Sequence, residues 1–205
     1  MTTARFIAFE GGEASGKSTQ AARLAAALGA LLTQEPGGTE LGQHIRQMVL
    51  SPSLADGVGV RAEALLLAAD RAQHVASVIR PALLAGRDVV SDRYAGSFLA
   101  YQGYGRGLDV GDIKRLSDWA SEGLWPDLVI LLDVPAEMAR VRMAASGVGP
   151  DRLEAAGDEF HRRVAEGFRV LAEAAPEAWR VVDGGGDVDE VSARVMEVVE
   201  TFFAA

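Results

Sequence analysis

Two hydrophobic periods alternate along the chain. Short runs rich in Val, Ile, Leu and Phe stand at 5–10, 31–34, 88–91, 128–133 and 180–183, and longer stretches with apolar residues three and four apart lie between them. Continuous apolar runs of this length predict strands buried on both faces, and the wider spacing predicts helices that bury one stripe. The helices are expected over 16–28, 39–50, 61–84, 110–122, 136–145, 158–174 and 188–203. Strands separated by helices build a parallel sheet, because parallel neighbours need a crossover and the crossover helix packs back on the sheet. The predicted class is α/β, a five-stranded parallel sheet with helices on both faces. Ligands of such sheets bind beyond the carboxyl ends of the strands.

One segment departs from the pattern. SGVGPDRLEAAG, residues 146–157, is rich in turn formers and separates two helices, which makes it a candidate lid. No repeat or linker divides the chain, so 1–205 is expected to form one domain.

The run RFIAFE leads into EGGEASGKST and then into TQAARLAAAL, a strand, a glycine-rich loop and a helix. Gly11, Gly16, Lys17 and Ser18 satisfy G-x-x-x-x-G-K-[ST] in the context that motif requires. In such a loop, here Gly11, Gly12, Glu13, Ala14, Ser15, Gly16, Lys17, Ser18 and Thr19, backbone N–H groups and a helix N-terminus cradle phosphate oxygens. The lysine bridges the β and γ phosphates, and the serine hydroxyl binds magnesium. The chain's only lysines are Lys17 and Lys114. A planar guanidinium would fit the ring of amides poorly, which explains a lysine in a chain that otherwise uses arginine.

Composition narrows the partners. At 205 residues with a net charge of −9 the chain is long enough for a sizeable core and too acidic to take nucleic acid as its main partner. It has no cysteine, hence no disulfide, thiolate metal site or thiol nucleophile. No apolar stretch is long enough for a membrane span or a signal peptide, so a cytoplasmic location and no membrane partner are expected. His44, His74 and His161 share no metal-ligand spacing and read as structural or surface residues.

Three further stretches identify the class of triphosphate enzyme: TQEPGGTELGQHIR (33–46), LLLAADRAQH (65–74) and SDRYAGSFLAYQGYGR (91–106). With the phosphate loop, they resemble the thymidylate kinases, P-loop enzymes that transfer the γ-phosphoryl of ATP to dTMP. The resemblance runs from Phe6 to about Leu171. It implies the P-loop nucleoside monophosphate kinase fold with a short lid, ATP and Mg2+ as cofactors, dTDP as product on the route to dTTP for DNA synthesis, and a homodimer. It also implies roles for single residues. Asp92 follows the run DVV and would hold magnesium with Ser18, while Arg93 grips the acceptor phosphate with Arg46. Glu13 meets the sugar 3′-hydroxyl and Arg71 the pyrimidine ring. Glu35, Pro36, Leu67, Ser97, Phe98, Tyr101 and Gln102 line the nucleoside pocket.

Some members carry a charge-stabilising arginine inside the loop, where this chain has Ala14. Arg152, in the lid stretch GPDRLEAAG, is the expected substitute, and Arg140 and Arg142 are candidates for adenine or phosphate contacts. Leu67 stands where an aromatic ring usually stacks on thymine, Phe98 at a position usually small or polar, and Gln34 where an arginine usually precedes EPGGT. Two alternatives to a dTMP kinase therefore stand: a kinase for a related pyrimidine deoxynucleoside monophosphate, and a nucleotide-binding regulator without turnover. No N-K-x-D-like guanine-reading sequence accompanies the loop.

Overall fold

In a computed structural model, residues 4–51, 57–145 and 151–204 are described. Five parallel strands form one sheet in the order β2-β3-β1-β4-β5. They are β1 (Phe6–Glu10), β2 (Leu31–Gln34), β3 (Val89–Asp92), β4 (Leu128–Asp133) and β5 (Trp179–Asp183). The central strand β1 is buried along its whole length, and its side chains serve the two faces in turn. Ile7 and Phe9 pack with Ala21 and Leu24 of α1 (Lys17–Leu28) and with Val191 and Val195 of α9 (Val188–Ala204). Phe6 and Ala8 face the other way, toward Val75, Ile79 and Tyr94. Each large side chain so buried contributes about 2–3 kcal/mol.

The chain leaves β1 through α1 on one face. It leaves β3 through Tyr94 and Ala95 on the other. Divergence of adjacent connections opens a crevice beyond the carboxyl ends of β1 and β3, and that is where a ligand of a doubly wound sheet sits.

The helix expected over 61–84 is divided. After α3 (Val60–His74) the turn Val75–Ile79 is π-helical, and α4 (Arg80–Leu84) follows. Pro81 has no N–H and its ring crowds the preceding turn, and the Arg80 N–H reaches back five residues to the Val75 carbonyl. A second helix was not expected. α5 (Ala95–Phe98) runs into a π-helical turn, Leu99–Gly105, buried at nearly every position. A helix covered all round shows no amphipathic stripe.

The remaining helices are α2 (Glu40–Leu50), α6 (Val110–Ser121), α7 (Ala136–Ala145) and α8 (Asp158–Ala174). Thr39 caps α2 by accepting from the Gly42 N–H at 3.0 Å, and Asp109 caps α6 through the Asp112 N–H at 2.8 Å. Of the expected lid, residues 146–150 lie outside the described residues. Residues 151–157 form a short turn in which the Asp151 carboxylate accepts from the N–H groups of Leu153 and Glu154 at 2.8 and 2.9 Å. The Arg152 N–H donates to the Leu50 carbonyl at 3.1 Å, laying this turn against the end of α2.

Candidate active site

The loop between β1 and α1 has the backbone that its glycines dictate. Gly11 adopts φ +143°, and a Cβ there would lie 2.6 Å from the Leu132 carbonyl oxygen; Gly16 adopts φ +93° at the N-cap of α1. Ala14 holds a left-handed φ of 53°, unusual for a residue with a Cβ. The Lys17 ammonium is buried and donates to the Gly12 carbonyl at 2.5 Å and to Ser15 Oγ at 3.1 Å. Burial, reinforced by the Arg93 charge, lowers its pKa to about 8 against the pull of Glu13, Asp92 and Glu10. Ser18 Oγ donates to Asp92 Oδ2. Asp92 Oδ1 is buried and has no hydrogen-bond partner among the described residues. A buried oxygen of a carboxylate is costly to leave unpaired, so this pair is suited to a cation.

Arg93 follows β3 at a left-handed φ of 69°. Its N–H bonds the Phe9 carbonyl, Nη1 donates to the Gly11 carbonyl and to Ser97 Oγ at 3.0 Å each, and Nη2 donates to Glu13 Oε1 at 2.8 Å. Its guanidinium carbon lies 5.1 Å from the Tyr101 ring centroid. This many contacts can hold a strained backbone in place. Nε donates to no described residue, which leaves it free for an oxyanion. Burial pushes the Glu13 carboxyl up, but Arg93, Lys17 and a hydrogen bond from Tyr101 outweigh it and hold the pKa at about 2.

Beside this junction lies a cavity lined by every residue expected of the acceptor pocket, from Glu13 through Glu35, Pro36, Arg46, Leu67, Arg71, Arg93, Ser97, Phe98 and Tyr101 to Gln102. Arg71, a surface residue if helical period alone is considered, is 2% exposed. Its Nε and Nη2 donate to Glu35 Oε2 at 3.0 and 2.6 Å, and its Nη1 donates to Ser117 Oγ at 3.2 Å. The guanidinium carbon lies 4.9 Å from the Tyr94 ring centroid and 5.0 Å from that of Phe98. Phe98 therefore presents to the cavity a ring already engaged by Arg71. The other Glu35 oxygen pairs with His74 Nδ1 at 2.9 Å, and His74 Nε2 pairs with Thr33 Oγ1 at 2.6 Å, which gives this histidine a structural place.

Arg46 donates to the Pro36 carbonyl at 3.0 Å and otherwise faces solvent. A second cavity follows the phosphate loop from Glu13 to Thr19 and takes in Asp92 and Arg142. Arg142 is held there by the Gly184 carbonyl at 3.0 Å. The structure does not bring Arg140 or Arg152 to either cavity. Arg140 is exposed and pairs with Glu137 and Asp158. Arg152 turns to buried Glu63 and donates to the Val49 carbonyl at 2.7 Å, while its neighbours Asp151 and Leu153 line the cavity beside Arg71.

Three buried acids escaped the sequence reading. Glu10 is fully buried, accepts from the Tyr94 N–H at 3.0 Å and from Ser97 Oγ, and titrates at about 7 because burial outweighs those bonds and Arg93. Asp70 accepts from the Gly37 N–H at 3.0 Å and is raised to about 6 by burial and then by Glu35. Glu63 accepts from Gln102, Arg106 and Arg152; burial opposes its charge, but these hydrogen bonds hold its carboxyl below the usual range. Glu10 is the last residue of β1 and Glu63 lies in the first turn of α3, and no motif marks either one. Asp70 directly precedes the motif arginine Arg71, which was the one available signal.

A family model described as thymidylate kinase matches residues 9–195. A thymidylate kinase of Leifsonia xyli is 50% identical over 195 residues, covering 93% of this chain and 91% of that protein. One from Clavibacter michiganensis is 47% identical over 208 residues, covering 99% and 98%. The crystal structure of thymidylate kinase from Ehrlichia chaffeensis superposes with a TM-score of 0.79 at 32% identity, over 97% of this chain and 99% of that one. Phosphate loop, sheet order and matches over nearly the whole length agree: the chain belongs to the thymidylate kinase family, ATP-dependent enzymes that phosphorylate dTMP to dTDP.

Proposed function

We propose that the cavity beside Arg71 holds dTMP, that the cavity over the phosphate loop holds the ATP phosphates, and that the phosphoryl group crosses at Arg93. One observation carries this reading: Glu13, Glu35, Arg46 and Arg93 line both cavities. The attacking atom is an oxygen of the acceptor phosphate, already ionised at neutral pH, so no protein base is required and catalysis is positioning and charge stabilisation. It forms a bond to the γ-phosphorus as the bond to the β-γ bridging oxygen breaks, and ADP departs. Arg93 Nε and the free donors of Arg46 hold the acceptor phosphate, Glu13 takes the sugar hydroxyl, and Lys17 with the loop amides holds the donor. Arg142 is better placed than Arg140 or Arg152 to meet charge on the donor phosphates.

Ser18 and Asp92 would hold Mg2+. The unpaired Asp92 Oδ1 supports this. Among the described residues no group of three or more His, Cys, Asp or Glu could hold a metal, which suits an ion that takes most ligands from phosphate and water. When bound, the ion offsets charge on the γ-phosphoryl oxygens. A homodimer fits the exposed apolar residues of the adjoining helices α3 and α6, where Leu65 is 60% and Trp119 80% exposed. A cytoplasmic site of action agrees with the absence, among the described residues, of any helix long and apolar enough to cross a membrane.

Arg46→Ala tests the acceptor assignment. Its expected effect is at least tenfold weaker dTMP binding by titration calorimetry, with thymidine binding unchanged because the nucleoside lacks the phosphate. Equal affinity of native and variant protein for dTMP would remove Arg46 from the acceptor site.

A further inference from the structure

Gln102 lines the acceptor cavity and is 1% exposed. A buried amide can present either its oxygen or its NH2 group to a ligand, and the choice is made by whatever holds the other end. Here the other end is held by Glu63, whose Oε1 accepts from Gln102 Nε2 at 2.9 Å. Glu63 is itself 0% exposed. Its Oε1 also accepts from Arg106 Nε at 3.1 Å, and its Oε2 accepts from Arg106 Nη2 at 3.2 Å and from Arg152 Nη2. Two guanidinium groups keep it ionised, and an ionised carboxylate has no proton to give. Only the NH2 group of Gln102 can face it. Gln102 Oε1 is left without a hydrogen bond among the described residues.

We infer that Glu63 is a positioning residue for base selectivity: by fixing the Gln102 amide it offers the acceptor cavity a hydrogen-bond acceptor and never a donor. The inference rests on the proposed placement of dTMP beside Arg71. The imide edge of thymine or uracil carries an N–H between two carbonyls and satisfies such an acceptor. Cytosine carries a bare ring nitrogen at the same position and leaves two acceptors opposed. Glu63 does this without touching the base, from the first turn of α3. Arg152 shares the same carboxylate, so the turn bearing Asp151 and Leu153 is anchored to the group that orients Gln102.

Glu63→Gln reverses the constraint. Arg106 Nη2 and Arg152 Nη2, which both donate to Oε2, keep the new amide oxygen there, and the NH2 group takes the place of Oε1 toward Gln102 with loss of the Arg106 Nε bond. Gln102 then flips to accept, and its own NH2 group faces the cavity. The ratio of kcat/KM for dTMP over dCMP is expected to fall at least tenfold, with the ratio for dTMP over dUMP unchanged because those bases share the imide edge. A ratio measured on one preparation does not depend on how much of it is folded, so lost stability cannot mimic the result. In a Gln102→Leu background, Glu63→Gln should shift the dTMP over dCMP ratio by less than twofold. Equal losses on dTMP and dCMP in Glu63→Gln, or a shift that persists without Gln102, would overturn the inference. If Gln102→Leu alone left kcat/KM for dTMP unchanged, the fault would lie with the placement of the base, and the inference would fall with it.

Discussion

The donor loop and the acceptor cavity adjoin but are built from different materials. The donor loop is one run of consecutive residues, and its binding groups are backbone amides and a helix terminus, with Lys17 as its single cation. The acceptor cavity draws side chains from α2, α3, the buried helix 95–105, the loop after β2 and the turn at 151–153. The loop keeps its shape through local glycine geometry. The cavity keeps its shape through buried pairs such as Arg71–Glu35 and Glu63–Arg106. A site of the first kind depends on few side chains and loses most when its one charge is removed. A site of the second kind spreads its dependence, and smaller changes retune it.

The contrast is most easily broken at Lys17. Lys17→Met should lower kcat by about 1,000-fold, the scale for removing a charge aimed at the transition state, and leave dTMP binding by calorimetry near its native value. Comparable loss of dTMP binding would show that the two sites do not stand apart. A milder version uses pH. Free Lys17 titrates at about 8, and only its charged form attracts phosphate, so ATP binding above that pH must take up a proton. The KM for ATP should rise above pH 8, approaching tenfold per pH unit, while the KM for dTMP stays flat because Arg46 and Arg93 remain charged. Parallel rises would place a titrating group in both sites. The smallest effect belongs to the cavity. Leu67→Phe restores a ring where the family resemblance expects one and should lower the KM for dTMP about threefold to tenfold, the worth of one aromatic stacking contact.

The same contrast explains what could be seen in advance. The phosphate loop was legible because its chemistry is contiguous, and the sheet because its strands are continuous apolar runs. The helix over 95–105 was not, since AGSFLAYQGYG is buried nearly all round and has no polar face to mark a period. Arg71, Tyr101 and Gln102 were named by resemblance, but their pairings with Glu35, Glu13 and Glu63 were not. Glu35 sits two strands away from Glu10, and Glu63 lies 39 residues before Gln102. A charge in a sequence does not reveal whether water or a guanidinium will face it. Arg152 shows the converse, a lid arginine whose expected task rests on chemistry alone while its described partners are Glu63 and Val49.

The ends of β2, β3 and β1 lie in register, Gln34 beside Asp92 and Asp92 beside Phe9. Glu35, Arg93 and the loop from Gly11 to Glu13 each hang just beyond one of these ends. Neighbouring strands stand about 4.8 Å apart, a spacing set by backbone hydrogen bonds and indifferent to side-chain identity. The sheet is therefore a gauge block: on the proposed placement of the two substrates, the gap a phosphoryl group crosses is measured out in strand spacings.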